Sequence, residues 1–472
     1  MMPDDLCFAP ALELATLIRE RALSPVELTH AVLDQIQRLN PKLGAYVLVH
    51  AERALDEARR AERAVMTGAP LGALHGVPVS IKDNLWTAGE RTTSGSRLLA
   101  DFIAPEDTPS VAGLRAAGAI FVGRTNLPEF AWRGSTDNPL FGESRNPWDL
   151  TRTPGGSTGG GAAAVAAGLA PLALGSDGAG SIRIPASFSG LVGLKPTFGR
   201  VPMYPAPGGH ELVAHVCPLA RTVRDVALMM NATARHDARD PFALPDDAVD
   251  YVASCDAPLA LTGPLRVAWS PDLGFAPVEA ETRDIVADAA RLFTHLGAKV
   301  DDATPDIGDP GWILRTLYGG AQAGAHAARP KEQKARMDPE LVAYAEASAS
   351  LTVVDHVKAV AARQAMVDTL RRFFERYDLL ITPTLCLPAF PLGVVGPREV
   401  AGREVTHLGW TLCYPFNYSG QPAISVPAGW TKSGLPVGMQ IVGRRLDDAL
   451  VLRAAAAFEA ARPWAARRPP LT

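Results

Sequence analysis

Residues 154–185 read PGGSTGGGAAAVAAGLAPLALGSDGAGSIRIP, the densest run of glycine in the chain. Two glycine loops bracket an alanine-rich segment, which we interpret as a buried helix leading into a strand because it falls short of the ~20 residues of a membrane span. The second loop ends on Ser181. Small residues before a serine let backbone N–H groups crowd around one point, as stabilisation of an oxyanion in acyl transfer demands. The stretch therefore indicates a serine nucleophile.

Three other interpretations compete for the same glycine loops. Tight turns alone account for many single loops of this kind. A phosphate cradle is weakly supported, because the first loop lacks the Lys-Ser/Thr ending of a P-loop. A nucleophile elbow matches G-x-S-x-G at residues 155–159, but it needs a preceding strand and a late histidine. Residues 149–154 are not strand-like and His407 is the only late histidine, so the elbow is disfavoured.

A lysine at the end of an apolar run changes the balance. Val77, Val79 and Ile81 are typical of a buried strand, and Lys82 follows them directly. A single lysine beside a strand is often a surface residue whose ammonium reaches water. A buried lysine instead has a lowered pKa and is able to accept a proton near neutral pH. Together with two glycine-framed serines, Lys82 is a candidate base.

These segments resemble the motifs of the amidase signature family, which pairs a GVPVxxKD-like stretch with GGSSGG and DxGGSIRxP loops. This chain has GVPVSIKDN at 76–84, GGSTGG at 155–160 and SDGAGSIRIP at 176–185. The offsets match as well, with 75 residues from Lys82 to Ser157 and 24 from Ser157 to Ser181. The resemblance continues through 125–149, 420–429 and 434–443, so that it covers most of the chain.

The resemblance implies a catalytic triad and a mechanism. Ser181 corresponds to the nucleophile, Ser157 to a bridging serine whose peptide bond is cis, and Lys82 to the base. Lys82 would accept a proton through Ser157 while Ser181 attacks a carboxamide carbonyl, and water would then hydrolyse the acyl-enzyme. The substrate is a small-molecule amide, and this chemistry needs no metal or organic cofactor.

The resemblance also assigns the residues around the nucleophile. Backbone N–H groups of Gly178, Ala179, Gly180 and Ser181 would line the oxyanion hole, although Ala179 stands where the transamidating branch of the family has glycine. Asp177 and Arg183 flank the nucleophile and are expected to pair and brace its loop, the alternative being an ordinary surface ion pair. Ala131 lies in the segment that looks like the family's substrate-facing loop.

The main functional alternative is the glutamine-hydrolysing component of glutamyl-tRNA amidotransferase, its A subunit, which uses the same triad to release ammonia from glutamine. In that branch an aspartate before the NxxGxPA segment recognises the glutamine amino group. Trp410 occupies that place here. We therefore expect Trp410 and Trp132 to line an apolar or aromatic pocket, and we predict a stand-alone amidase for hydrophobic or aryl carboxamides.

Composition restricts the partners. The net charge is -4, with 46 basic and 50 acidic residues intermixed along the chain, which predicts no binding of nucleic acid or of an anionic membrane. Five scattered cysteines without CxxC spacing argue against disulfides and structural zinc, and favour a cytoplasmic protein. The set His210, His215 and Cys217 has no common metal-ligand spacing, so we predict no metal. A homodimer formed through N-terminal helices is a further expectation.

We predict an α/β fold, because short β-like runs alternate with glycine-rich loops and helix-like segments. The resemblance specifies a large twisted mixed sheet covered by helices on both faces. It also predicts a single amidase domain over 1–472, with an N-terminal helical arm (1–67), a catalytic core (68–236), a variable substrate-side region (237–377) and the C-terminal part of the core (378–472). Within the arm, Ser24-Pro25 predicts a helix start and Asn40-Pro41 its end.

Overall fold

A computed structural model describes residues 3–206, 208–259 and 263–471. Within these ranges one mixed sheet contains eleven strands, and four two-residue strands form two small ladders beside it. The strands are β1 (Tyr46–Val49), β2 (Pro78–Lys82), β3 (Ile120–Thr125), β4 (Asp137–Asn138), β5 (Gly142–Glu143), β6 (Leu172–Asp177), β7 (Val192–Lys195), β8 (His215–Ala220), β9 (Arg266–Trp269), β10 (Lys299–Asp302), β11 (Leu379–Pro383), β12 (Glu399–Val400), β13 (Arg403–Glu404), β14 (Ala423–Trp430) and β15 (Pro436–Gly443).

The order of strands across the sheet is β1-β3-β2-β6-β8-β7-β14-β15-β11-β9-β10. Strands β3, β2 and β6 run parallel, as do β11, β9 and β10, and the remaining neighbours are antiparallel. All four segments of the domain expected from the sequence contribute strands to this one sheet. The prediction of a large mixed α/β sheet is confirmed.

Sixteen helices within the described ranges surround the sheet. They are α1 (Pro3–Phe8), α2 (Ala11–Arg19), α3 (Pro25–Leu43), α4 (Ala51–Thr67), α5 (Pro109–Ala116), α6 (Gly159–Ala166), α7 (Arg183–Ser189), α8 (Val223–Thr233), α9 (Tyr251–Asp256), α10 (Ala280–His295), α11 (Gly311–Gln322), α12 (Lys331–Lys334), α13 (Pro339–Ser348), α14 (Val353–Arg376), α15 (Tyr414–Ser419) and α16 (Asp448–Ala461). A π turn, Ala323–Ala327, extends α11. None of the helices in the described part of the chain is both long and apolar enough to cross a bilayer.

The two faces of the sheet are both buried, as the alternation of side chains along β11 shows. Leu379 and Ile381 pack in one apolar cluster with residues of α10 and α16. Leu380, between them, packs in a second cluster with residues of α14. Successive side chains of a strand point to opposite faces, so the central strands are apolar throughout and helices cover both sides.

The N-terminal segment is integral to the sheet rather than a protruding arm. Strand β1 forms the edge and pairs antiparallel with β3, Tyr46 opposite Thr125. Helix α4 buries an alanine stripe, including Ala54 and Ala58, against the body of the protein. The segment expected as a helical arm therefore contributes a strand to the sheet, and its helix α4 packs on the body of the protein through alanines and Val65.

Helix α3 begins where the sequence predicts but ends later. The Ser24 side chain accepts hydrogen bonds from the backbone N–H groups of Val26 and Glu27. The helix continues through Pro41 to Leu43, and Gly44 closes it in a left-handed conformation with φ 56°. Proline is tolerated there because it removes only one hydrogen bond of the last turns. Glycine is required at this turn because φ is positive and a Cβ atom would lie 2.4 Å from the carbonyl oxygen of Glu143.

We expect Leu28→Ala to destabilise the whole protein. Leu28 is fully buried in a cluster that joins α3 to β3 and α6, and a cavity at such a site costs about 2–5 kcal/mol. The free energy of unfolding measured by chemical denaturation should fall by this amount. Met66→Ala is the control, since Met66 is 63% exposed on α4. An unchanged unfolding transition for Leu28→Ala would mean that the N-terminal helices are a separate appendage.

Candidate active site

The candidate site lies where two neighbouring parallel strands end. Lys82 is the last residue of β2 and Asp177 the last of β6, and the two strands pair with Ile81 opposite Leu174. The carboxyl ends of parallel neighbours meet at one edge of a sheet, so the side chains that follow them converge. The loop from Gly178 to Ile182 then leads directly from β6 into α7.

Lys82 is fully buried and contacts two serines. Its Nζ donates to Ser157 Oγ at 2.8 Å and to Ser176 Oγ at 3.0 Å. Burial away from water lowers the pKa of Lys82 to about 7, and the charge of Asp177 opposes this shift without cancelling it. A lysine in this state exchanges a proton readily at neutral pH. Ser176 was not singled out from the sequence, although it lies within the quoted loop.

Ser157 is also fully buried, and the peptide bond between Gly156 and Ser157 is cis. The next residue ties the two glycine loops together. The backbone N–H of Thr158 donates to the carbonyl oxygen of Ser181 at 3.1 Å, and its Oγ1 donates to that of Ser176 at 3.2 Å. The two glycine-framed serines therefore belong to one rigid cluster beside Lys82.

Gly160, at the start of α6, shows why the first loop is so rich in glycine. A Cβ atom there would lie 2.4 Å from the backbone nitrogen of Asn126 and 2.5 Å from the carbonyl oxygen of Ala45. No side chain fits at these distances, so the residue has to be glycine. At this close approach α6 packs against Ala45, which precedes β1, and against Asn126, which follows β3.

The loop before Ser181 presents backbone N–H groups, but a different set from the expected one. The N–H of Gly180 donates to Asp177 Oδ1 at 2.6 Å and is not available to an oxyanion, which corrects the expectation for this residue. Within the described residues, the N–H groups of Gly178, Ala179 and Ser181 form no hydrogen bond. The carboxylate of Asp177 lies close enough to the loop from Gly178 to Ile182 to accept this hydrogen bond from the Gly180 N–H.

Asp177 and Arg183 form a buried pair rather than a surface one. Both side chains are inaccessible, and two N···O contacts of 3.0 and 3.1 Å join them. Asn417 donates to Asp177 Oδ1 at 2.8 Å, and Arg183 donates to the side chain of Gln440 at 2.8 Å. Burial alone would raise the pKa of Asp177, but the Arg183 guanidinium and the Asn417 amide hold it below its usual range.

A cavity of about 360 Å³ opens over the serines. Its wall includes six residues expected from the sequence: Ser157, Ser181, Gly178, Ala179, Ala131 and Trp132. Ser176 lines it as well, whereas Lys82 lies behind the serines and Gly180 behind the loop. His210 also lines it, and the rest of the wall comes from residues that sequence analysis did not single out: Asn84, Trp86, Ser94, Phe130, Arg133, Ile184, Met203, Pro205, Ala206, Gly208, Ala214, Tyr318, Ala321, Gln322, Ala325, His326, Arg329 and Leu408.

Trp410 does not line this cavity, contrary to the expectation. It is 1% exposed, stacks on Phe188 and meets the ring edge of Phe390. Its ring fills space kept open by Gly134, where a Cβ atom would lie 2.7 Å from the indole. Leu408, two residues earlier, reaches the cavity instead. The segment therefore contributes an aliphatic side chain to the wall, and its aromatic one belongs to the core.

Much of the opposite wall comes from α11 and the π turn, a region in which the sequence shows no motif. The hydroxyl of Tyr318 donates to the carbonyl oxygen of Trp132 at 2.5 Å. The ring of His407 stacks on that of Trp132, with centroids 5.3 Å apart and 9° between the planes. Burial lowers the pKa of His407 to about 4. At neutral pH the aromatic part of the site is thus uncharged.

The turn that carries Ala131 has an unusual backbone. Phe130 and Ala131 both have positive φ, 49° and 60°, which non-glycine residues seldom adopt. Glu129 fixes the turn from below, since its carboxylate accepts from Ser96 Oγ and from the backbone nitrogen of Asp338, both at 2.5 Å. Strained backbone of this kind is concentrated at functional sites.

The described residues contain no cluster of three or more histidine, cysteine, aspartate or glutamate side chains placed to hold a metal ion. His210 and His215, which the sequence suggested as neighbours of Cys217, have other contacts. His215 lies 3.3 Å from Lys195 Nζ, and its Nδ1 donates to the carbonyl oxygen of Val213 at 2.8 Å. His210 lines the cavity beside Gln322.

Known proteins resemble this chain in sequence and in fold. A family model described as Amidase matches residues 27–452. The chain is 40% identical to an acylamidase of Rhodococcus erythropolis, over 99% of this chain and 98% of that one. It is 38% identical to the A subunit of glutamyl-tRNA(Gln) amidotransferase from Moorella thermoacetica, over 99% of each. The crystal structure of a bacterial aryl acylamidase matches with a TM-score of 0.91 at 33% identity, covering 98% of this chain and 99% of that one. This chain therefore belongs to the amidase family, the enzymes that carry the amidase signature.

Proposed function

We propose that this amidase acts without a partner protein on hydrophobic or aryl carboxamides and releases a carboxylate with ammonia or an amine. One observation carries the proposal. A fully buried lysine donates to Ser157 at 2.8 Å, beside the loop of Ser181 and beneath a cavity whose wall includes Trp86, Phe130, Trp132 and Tyr318. The lining of that cavity, over the described residues, contains no aspartate or glutamate.

In the proposed reaction Lys82 begins neutral. Ser181 Oγ attacks the amide carbonyl carbon, and its proton passes to Ser157 while the proton of Ser157 passes to Lys82 Nζ. When the tetrahedral intermediate collapses, the C–N bond breaks and a proton returns along the same path to the leaving nitrogen. Water then attacks the acyl-enzyme by the same relay, which releases the carboxylic acid and restores Ser181.

We assign the oxyanion hole to the backbone N–H groups of Gly178, Ala179 and Ser181. These groups have no partner among the described residues, and they border the cavity in which the carbonyl oxygen would lie. Donors fixed in advance cost no reorganisation when the negative charge develops. The methyl group of Ala179 leaves its N–H in place, so this departure from the transamidating branch is compatible with activity.

The cavity supports a hydrophobic or aryl substrate over glutamine. Trp132, Tyr318 and Phe130 present aromatic surface, on which rings stack favourably. The ammonium group of glutamine would need a carboxylate, and none lines the cavity within the described ranges. The similarity to proteins named acylamidase and aryl acylamidase supports the same substrate class. The amidotransferase A subunit is almost as similar in sequence, at 38% identity, so glutamine is the alternative substrate that an assay has to test.

We also place the enzyme in the cytoplasm. Cys217, Cys255, Cys386 and Cys413 are buried free thiols, which suits a reducing compartment. The homodimer stays a prediction. The dimer is expected to form through the N-terminal helices. The apolar faces of α3 and α4 pack against the protein's own sheet, so only their outer faces are open to a second subunit.

The substrate class is tested by activity without partners. Purified protein should hydrolyse acetanilide-type amides and leave glutamine unchanged, because the cavity offers aromatic contacts and no partner for an ammonium group. Product release is followed by chromatography of the aniline and by an ammonia assay. Ammonia released from glutamine, with anilides left intact, would contradict the assignment.

Replacement of the nucleophile should abolish turnover. In Ser181→Ala we expect a loss of at least about 10³-fold in kcat, since no other hydroxyl takes the nucleophile's place on the oxyanion loop. A serine-directed phosphonate should label the wild type at Ser181 and leave the variant unlabelled, as peptide mass spectrometry would show. Ser350→Ala, at an exposed serine, is the control. Retained activity in Ser181→Ala would move the nucleophile elsewhere.

Activity should depend on the ionisation of Lys82. The neutral amine is the active form and its pKa is about 7, so kcat/KM should rise about tenfold per pH unit below 7 and level off above it. Burial also lowers the pKa of Lys195 to about 7, which makes Lys195→Met the necessary control. If the acid limb disappears in Lys195→Met, the limb does not belong to Lys82.

A further inference from the structure

The charged residues of the cavity wall are both arginines. Arg133 and Arg329 line it, and the same wall has neither aspartate nor glutamate among its described residues. The imidazole of His326, also in the wall, has a pKa lowered to about 4 by burial and by the charge of Arg329. At neutral pH the charged groups of the described wall are therefore all positive. Whether the cavity attracts an anion depends on whether carboxylates outside the wall already neutralise each arginine.

Arg133 is already neutralised. Its guanidinium pairs with Asp137 and lies 3.4 Å from Asp338 Oδ2. Two carboxylates thus surround one cation, and a further anion beside it would meet repulsion. Arg133 also packs against the ring of Trp132, which fits a role in fixing the wall.

Arg329 has no such partner, since it forms no ion pair with any described residue. The buried carboxyl group of Glu129 is near enough for the charge of Arg329 to lower its pKa, although burial has the larger effect and raises it. That carboxyl group accepts from Ser96 and from the Asp338 backbone instead. An unpaired guanidinium facing a cavity without acidic groups is the environment in which an anion gains most from binding.

The side chain of Arg329 is nevertheless held in place. Its Nε donates to the carbonyl oxygen of Ala325 at 3.1 Å and to His326 Nδ1 at 3.2 Å, and its Nη1 donates to Gln333 at 3.1 Å. The guanidinium also lies 6.0 Å from the centroid of the Phe130 ring. Nη2 makes no hydrogen bond to a described residue. A donor fixed in this way loses little side-chain entropy when it binds a ligand.

Arg329 lies toward the mouth of the cavity. Its Nε donates to the carbonyl oxygen of Ala325, which is exposed, as are Ala206 and Gly208 of the same wall, whereas Ser157 and Ala179 are buried. A substrate whose carbonyl reaches Ser181 would therefore bring its far end toward Arg329.

We propose that Arg329 binds a carboxylate at the far end of the substrate, so that the enzyme selects anionic aryl or acyl amides over neutral ones of the same shape. This inference rests on the proposed function, because it requires that the amide bond be cleaved at Ser181. It further specifies that the preferred substrates carry a negative charge, which the aromatic side chains of the wall do not determine.

Two matched substrate pairs test the proposal. The first compares para-acetamidobenzoate with para-acetylacetanilide and places the carboxylate on the amine side. The second compares glutaranilate with hexananilide and places it on the acyl side. Wild type should favour the anion in one pair by about tenfold in kcat/KM, the typical gain from a charge-assisted contact. The pair that shows the preference identifies which side of the amide faces the mouth.

Variants assign the preference to Arg329. Arg329→Gln should abolish it by lowering kcat/KM of the anionic member about tenfold more than that of the neutral member, whereas Arg329→Lys should retain part of it. Lys331→Gln is the matched control, since it removes a nearby exposed cation outside the wall. The absence of anion preference in both wild-type pairs, or an equal loss for both members in Arg329→Gln, would overturn the proposal.

Binding separates this proposal from the proposed function. Calorimetry with Ser181→Ala and with Ser181→Ala/Arg329→Gln measures affinity for the same four compounds without turnover. Intact turnover of neutral anilides with no anion preference in binding contradicts the role of Arg329 alone. An anion preference that disappears in the double variant supports Arg329 even if wild type fails to cleave any of the compounds, an outcome that would contradict only the proposed function.

Discussion

The buried pair of Asp177 and Arg183 is the interaction on which the site depends. Two charges removed from water are costly unless further hydrogen bonds complete their shells, and here they do. Asn417, Gln440 and the carbonyl oxygen of Cys413 serve the pair. Asp177 in turn accepts the N–H groups of Gly180 and Ile182. The loop that carries Ser181 is thereby attached to α15 and β15, which are distant in sequence and central in the fold.

The same pair lies beside the candidate base. The charge of Asp177 raises the pKa of Lys82, but burial lowers it by more, and the pKa falls to about 7. Arg183 in turn keeps Asp177 charged, since burial alone would raise the pKa of that carboxyl group. A contact that looks structural therefore maintains a negative charge at the end of the strand next to that of Lys82.

The parts of the site that sequence analysis predicted are those that lie in recognisable motifs. Lys82 ends a strand, Ser157 and Ser181 lie in short glycine loops, and the resemblance of these motifs to those of the amidase signature family implied their roles, although 75 residues separate Lys82 from Ser157. Gln440 lies in a segment already noted for its resemblance and Asn417 three residues before another, yet their role as partners of Arg183 depends on how the chain folds across the sheet. Trp410 was misplaced because Leu408 adopts a positive φ, 59°, and the turn there exchanges which side chain faces the cavity. Tyr318 and Arg329 had no local signal, since only packing across the molecule brings them to the site.

The π turn at Ala323–Ala327 has an evolutionary consequence. Such a turn adds a residue to a helix, and each residue rotates a helix by about 100°. Insertion or deletion of one residue there would present different side chains to the cavity and leave the glycine loops untouched. A small length change in this one helix would therefore alter part of the recognition surface while Lys82, Ser157 and Ser181 stay in place, which is a short route to a new amide substrate.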